Sequence, residues 1–209
     1  MSGAVELERD FDHTDVRLIL RSSLQLGIIQ AILVLLFSFV SRFLDASPET
    51  ILQVVIIFVG LTATCALPGL WTKARHTEGI AGAAGIGLGA TVVFMIVDVA
   101  ILQWIGTYTN RWLEIGGGSN WWYHPVWWMA GTFLAWMGAT VLANQATKGR
   151  QPSVVALMFS AIGFTLVAGV VAILVGMPGA AWSLPTFAVA FLPGVALAAL
   201  VSAIGRRRA

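Results

Sequence analysis

Apolar residues in this chain come in unbroken runs, not at the alternating spacing of a strand or the one-sided spacing of a soluble helix. The first run, residues 24–44, contains LQLGIIQAILVLLFSFV and meets no charge before Arg42. Further runs occupy about 51–71, 79–104, 125–145, 153–175 and 184–204. An apolar run of about 18 residues or more is long enough for a helix to cross the roughly 30 Å of bilayer hydrocarbon. A helix satisfies its own backbone amides there, where no water can. The pattern predicts an all-α, polytopic integral membrane protein with six transmembrane helices.

Polar residues punctuate the runs. Residues 1–13 form a polar tail, after which Thr14 is placed to cap the first helix. Ser47 and Pro48 suit the start of the second, and Pro68-Gly69 is expected to kink or end it. Lys73, Arg75 and His76 make a basic loop before Thr77, the expected cap of the third. Residues 106–124 are the longest polar stretch and hold three of the nine tryptophans. Residues 148–152 and 176–185 are turns, and 206–209 are a basic tail.

Charge gives the runs a direction. Ten of the 12 basic residues (Arg9, Arg17, Arg21, Lys73, Arg75, Lys148, Arg150 and Arg206 to Arg208) fall on the side of the termini. Only Arg42 and Arg111 fall on the other. Positive residues favour the cytoplasm, so both termini are expected there. The polar start and the length of the first run argue against a cleaved signal, so that run is expected to remain as an anchor. The membrane expected is a prokaryotic plasma membrane.

Composition agrees. Of 209 residues, 58% are hydrophobic and 11% charged, against about 25% charged in soluble domains, and mean hydropathy is +0.85. The length suits one membrane domain, and no second, soluble one is expected. The net charge of +2 sits at helix ends and implies no nucleic-acid partner. The lone Cys65 cannot form an intrachain disulfide and reads as a small core residue.

Candidate chemistry is sparse. Asp98 is the one acid read as well inside a span, six residues before Trp104 and so about 9 Å short of the outer interface. A carboxylate at that depth is paired, protonated or beside water. Arg42, Arg111 and His124 are its expected partners. A proton or cation site is one reading, and an ion pair or hydrogen bond locking helices together is the plainer one. His124 is placed to ligate a haem or pigment through a ring nitrogen, although capping or a loop carbonyl bond accounts for it more simply. No cofactor and no metal site is otherwise indicated.

Seven of nine tryptophans, Trp104, Trp112, Trp121, Trp122, Trp127, Trp128 and Trp182, fall on the outer side, with Tyr108 and Tyr123. A lopsided interfacial belt explains them. A contact surface for protein, lipid or pigment explains them equally well. Gly82, Gly85, Gly87 and Gly89 smooth one helix for close packing, within the bundle or against a second copy. The few polar residues inside spans, such as Gln30, Gln53, Thr62 and Thr91, are expected to bond between helices. Pro68-Gly-Leu-Trp71 and Pro178-Gly-Ala-Ala-Trp182 echo each other weakly, as a shared way of ending helices.

No lysine lies in a span, and no nucleophile–base spacing, zinc signature or phosphate loop occurs. The residues therefore point to a non-catalytic subunit or scaffold of a larger membrane complex, energy-transducing assemblies among the candidates. Its partners are the lipid bilayer and other subunits or copies of itself. The alternative is a small oligomeric transporter or channel using Asp98, with His124 or Arg111 as a gate. A membrane enzyme acting on lipid ranks last.

Overall fold

The computed structural model describes residues 15–109 and 123–204. The described residues are helical and contain no strand: α1 Val16–Phe43, α2 Ala46–Trp71, α3 Thr77–Val97, α4 Tyr123–Thr147, α5 Val154–Leu174 and α6 Leu184–Ala203. Six helices are long and apolar enough to cross a membrane. Residues 1–14, which include Thr14, the Trp-rich stretch 110–122 and the basic tail 205–209 lie outside the described residues.

Helix ends differ in detail from the apolar runs. α1 starts at Val16 because Asp15 caps it, its carboxylate accepting the Arg17 N–H at 2.9 Å. Arginine is a good helix former, so the helix continues through Arg17 and Arg21 before the run begins. Asp45 and His76 hold the N-cap positions of α2 and α3 without a side-chain bond, and Ser47 and Thr77 are already helical. α2 does not stop at Pro68 but runs on to Trp71. There Lys73 takes a φ of 47°, and the Ala74 N–H returns to the Gly69 carbonyl at 2.8 Å. That bond satisfies a carbonyl the helix would otherwise leave open.

α4 is the hub, lying against α3, α2 and α6. Of its apolar stretch 44% is buried, against 22% for α2, which faces outward. α1 packs on α3 and α2, and α5 packs mainly on α6. The largest core joins Cys65 and Ala66 of α2, Leu134, Val141 and Leu142 of α4, Leu157 of α5, and Phe191 and Val195 of α6. A smaller one sets Leu26 of α1 against Ile86 and Ala90 of α3.

Glycines let these helices touch backbone to backbone. A Cβ on Gly87 of α3 would lie 2.7 Å from the Gly131 carbonyl oxygen of α4. One on Gly138 of α4 would lie 2.6 Å from the Cys65 carbonyl carbon of α2, with the carbonyl oxygen nearer still. Gly89 meets Ser23 of α1, whereas Gly82 is buried and Gly85 has nothing within 4 Å. The glycines of α3 thus serve two neighbours and open space, not one stripe. Gly194 of α6 seats on Thr165 of α5 in the same way, 2.8 Å from its amide nitrogen.

Three substitutions separate these roles. Gly138→Ala forces α4 off α2 and costs about 1–3 kcal/mol, and Gly87→Ala has the same sign. Gly85→Ala meets open space and gains up to about 1 kcal/mol from helix propensity. Unfolding midpoints of the detergent-solubilised variants measure all three, and equal midpoints for Gly138→Ala and Gly85→Ala would contradict the packing described.

Candidate functional site

The candidate site forms where α3 ends. Ala83, Gly87, Ala90, Thr91 and Phe94 put the buried face of α3 at three- and four-residue spacing, and Asp98 continues it. At Asp98 the helix widens into a five-residue π-helical segment, Asp98–Leu102, in which the Gln103 N–H reaches the Asp98 carbonyl at 3.0 Å. Wider turns of this kind accommodate one extra residue and recur at functional positions. The segment leaves both Asp98 and Leu102 buried. The chain then reverses at Gly106, whose φ of 68° is open to glycine at little cost. The Thr107 N–H closes the end on the Leu102 carbonyl at 3.1 Å.

That reversal brings Tyr108 back over Asp98. Asp98 is 5% exposed. Its Oδ2 accepts from Gln103 Nε2 at 2.8 Å, and its Oδ1 accepts from the Tyr108 hydroxyl. A hydrogen bond to a charged group contributes about 1.5–3 kcal/mol, enough for two such bonds to offset a large part of burying a carboxylate. α1 fastens the same corner: Ser38 Oγ donates to the Thr107 carbonyl and Arg42 to the Gly106 carbonyl. These carbonyls follow a helix end and lack intrahelical partners. Thr107 Oγ1 is buried in this corner without a hydrogen-bond partner.

Of the partners expected for Asp98, only Arg42 has a described side chain. Arg42 donates to the Gly106 carbonyl, and Asp98 accepts from Gln103 and Tyr108. Arg111, Trp112, Trp121 and Trp122 lie outside the described residues, and Tyr123 and His124 open α4. Tyr108, read from sequence as part of an outer contact surface, turns inward. Trp104 and Trp182 face out, 83% and 72% exposed. Trp127 and Trp128 are also partly outward, with the Trp127 ring 6.0 Å from that of Phe94.

A second buried acid escaped the sequence. Glu49, in the first turn of α2, is 3% exposed and accepts from Gln53 Nε2 at 3.0 Å. It stands at the same end of the bundle as Asp98, since α2 begins where α1 finishes. Directly after Pro48 it reads as part of a turn, and only the Gln53 four positions later hints otherwise.

Few polar side chains inside the spans bridge helices. Thr62, Thr91, Thr132, Thr140 and Thr165 each donate to a carbonyl one turn back on their own helix. Bridges between helices include Gln30 to Thr64 at 3.3 Å, Asn144 to Ser202 at 2.8 Å and Ser23 to the Ile86 carbonyl at 3.4 Å. Among the described residues no three His, Cys, Asp or Glu side chains gather as a metal site. Two open grooves lie on the described surface, one beside the start of α1 and the other, mainly apolar, between α2 and Val154. The chain matches no protein-family model, no curated protein and no solved structure.

If Tyr108 and Asp98 act as one latch, their substitutions are not independent. Tyr108→Phe and Asp98→Asn each lower stability by about 1–3 kcal/mol. The double variant loses at least about 1 kcal/mol less than the two losses added. A denaturant-unfolding cycle on the four proteins gives the coupling, and simple additivity excludes the pairing.

Proposed function

We propose that the chain is a non-catalytic membrane subunit or scaffold of a larger membrane-protein complex. The carrying observation is that Asp98, the span's candidate ion-binding side chain, has both oxygens engaged by Gln103 and Tyr108 at a helix corner. An acid spent on closing a corner contributes to shape and not to turnover. The threonines of the spans similarly return their hydroxyls to their own helices. What remains for interaction is apolar surface, chiefly on α2 and α5, together with the outward Trp104 and Trp182. On this reading the tryptophan-rich stretch docks a partner on the outer, non-cytoplasmic side, both termini are cytoplasmic, and the host is a bacterial inner membrane. His124 as a haem or pigment ligand is not needed for it.

One observation favours the alternative, a small transporter or channel: two buried carboxylates, Glu49 and Asp98, occupy one end of the bundle. Such a pair suits a site that a cation or proton visits.

Light scattering after extraction in mild detergent tests the first reading. The expected particle exceeds one 22.3 kDa chain plus its detergent, through a second copy or another subunit. A folded, monodisperse single chain sinks the scaffold reading. The alternative has its own test in reconstituted vesicles: the scaffold reading expects no cation- or proton-coupled flux that Asp98→Asn abolishes, and such a flux would replace it.

A further inference from the structure

The outward face of α1 carries a charge pattern that the bundle interior does not use. Arg17 and Arg21 are four residues apart, so their side chains share one helix face. Leu20, Leu24, Ile28 and Ile32 continue that side of the helix and are all exposed. Asp15, Val16, Arg17, Leu20, Arg21 and Leu24 line the open groove at the helix start. The opposite face is fixed. Ser22, Ser23, Leu26 and Gly27 are buried, and Ser23 Oγ donates to the Ile86 carbonyl of α3 at 3.4 Å. The exposed face is thus presented on a backbone that the bundle already holds.

Among the described residues neither guanidinium meets a carboxylate. Asp15, the acid beside them, uses its oxygen on the Arg17 backbone N–H. Two like charges one turn apart repel each other, and an anion seated between them converts repulsion into attraction. Guanidinium groups suit phosphate because their planar N–H forks match its oxygens. The apolar continuation then selects among phosphates. Eleven residues separate Arg21 from Ile32, a rise of about 16 Å, close to half of the roughly 30 Å hydrocarbon layer. A free phosphate makes no contact with that row, whereas an acyl chain of one leaflet matches its length.

We propose that α1 binds an anionic phospholipid, with the phosphate between Arg17 and Arg21 and an acyl chain along Leu20, Leu24, Ile28 and Ile32. A zwitterionic headgroup brings its own cation to the same place and is held less tightly. The site is independent of whether the chain is a scaffold or a transporter.

Native mass spectrometry of the full chain, released from a neutral detergent, tests this. The probes are phosphatidylglycerol, phosphatidylcholine with the same acyl chains, and water-soluble glycerol phosphate. The natural sequence is expected to retain phosphatidylglycerol over phosphatidylcholine. R17Q/R21Q is expected to bind phosphatidylglycerol roughly thirtyfold more weakly, with phosphatidylcholine unchanged. Equal retention of the two lipids by the natural sequence overturns the proposal, and needs no variant to fold. Undiminished phosphatidylglycerol binding by R17Q/R21Q overturns it as well. Glycerol phosphate binding as tightly as the lipid removes the acyl chain from the site.

Discussion

Helices in hydrocarbon gain little by hiding leucine from lipid, because the tails are as apolar as the side chain. What holds this bundle is how closely backbones approach α4. Gly87 and Gly131 bring α3 onto it, and Gly138 and Gly69 bring α2 onto it; a methyl group would collide with a neighbouring backbone atom at Gly87, Gly138 and Gly69, and with the Thr91 hydroxyl at Gly131. At that separation many weak dispersion contacts act together. The helix with the deepest burial is accordingly the one on which these close approaches converge.

The corner at Asp98 depends on that arrangement. α1 can fasten the carbonyls of Gly106 and Thr107 only because Gly27 and Gly89 hold it tightly against α3 lower down. The π-helical segment, the glycine reversal and the return of Tyr108 then follow within eleven residues of one another, from Asp98 to Tyr108. Gln103 and Tyr108, which meet its two oxygens, both lie within ten residues of it in the chain. Glu49 is likewise held locally, by Gln53 one turn along its own helix α2.

The spans were legible because crossing a bilayer imposes a length, and the chain states that length six times. Which neighbour each span faces was not legible, since lipid and protein both accept apolar residues. The glycines of α3 illustrate this. Gly85 and Gly87 stand about 200° apart around a helix of 3.6 residues per turn, so a run that reads as one smooth stripe divides between faces. The inward turn of Tyr108 was hidden for a different reason: a tyrosine beside tryptophans near a span end has the composition of an interfacial belt. Nor does any residue pattern announce a π-helical turn. The threonines misled because their hydroxyls can bond within a helix as readily as between helices.

The α5–α6 hairpin has a consequence for how the bundle comes into being. Its own seam, Gly194 on Thr165 and Gly169 on Phe187, is made of residues close in the chain, and it meets the rest chiefly through α6 against α4. The four earlier helices form their mutual seams without it. Synthesis from the amino end therefore delivers a four-helix platform first, and the last two spans arrive as a prefolded clip. A chain interrupted in the turn after α4 would leave that platform intact, with one flank of its central helix bare.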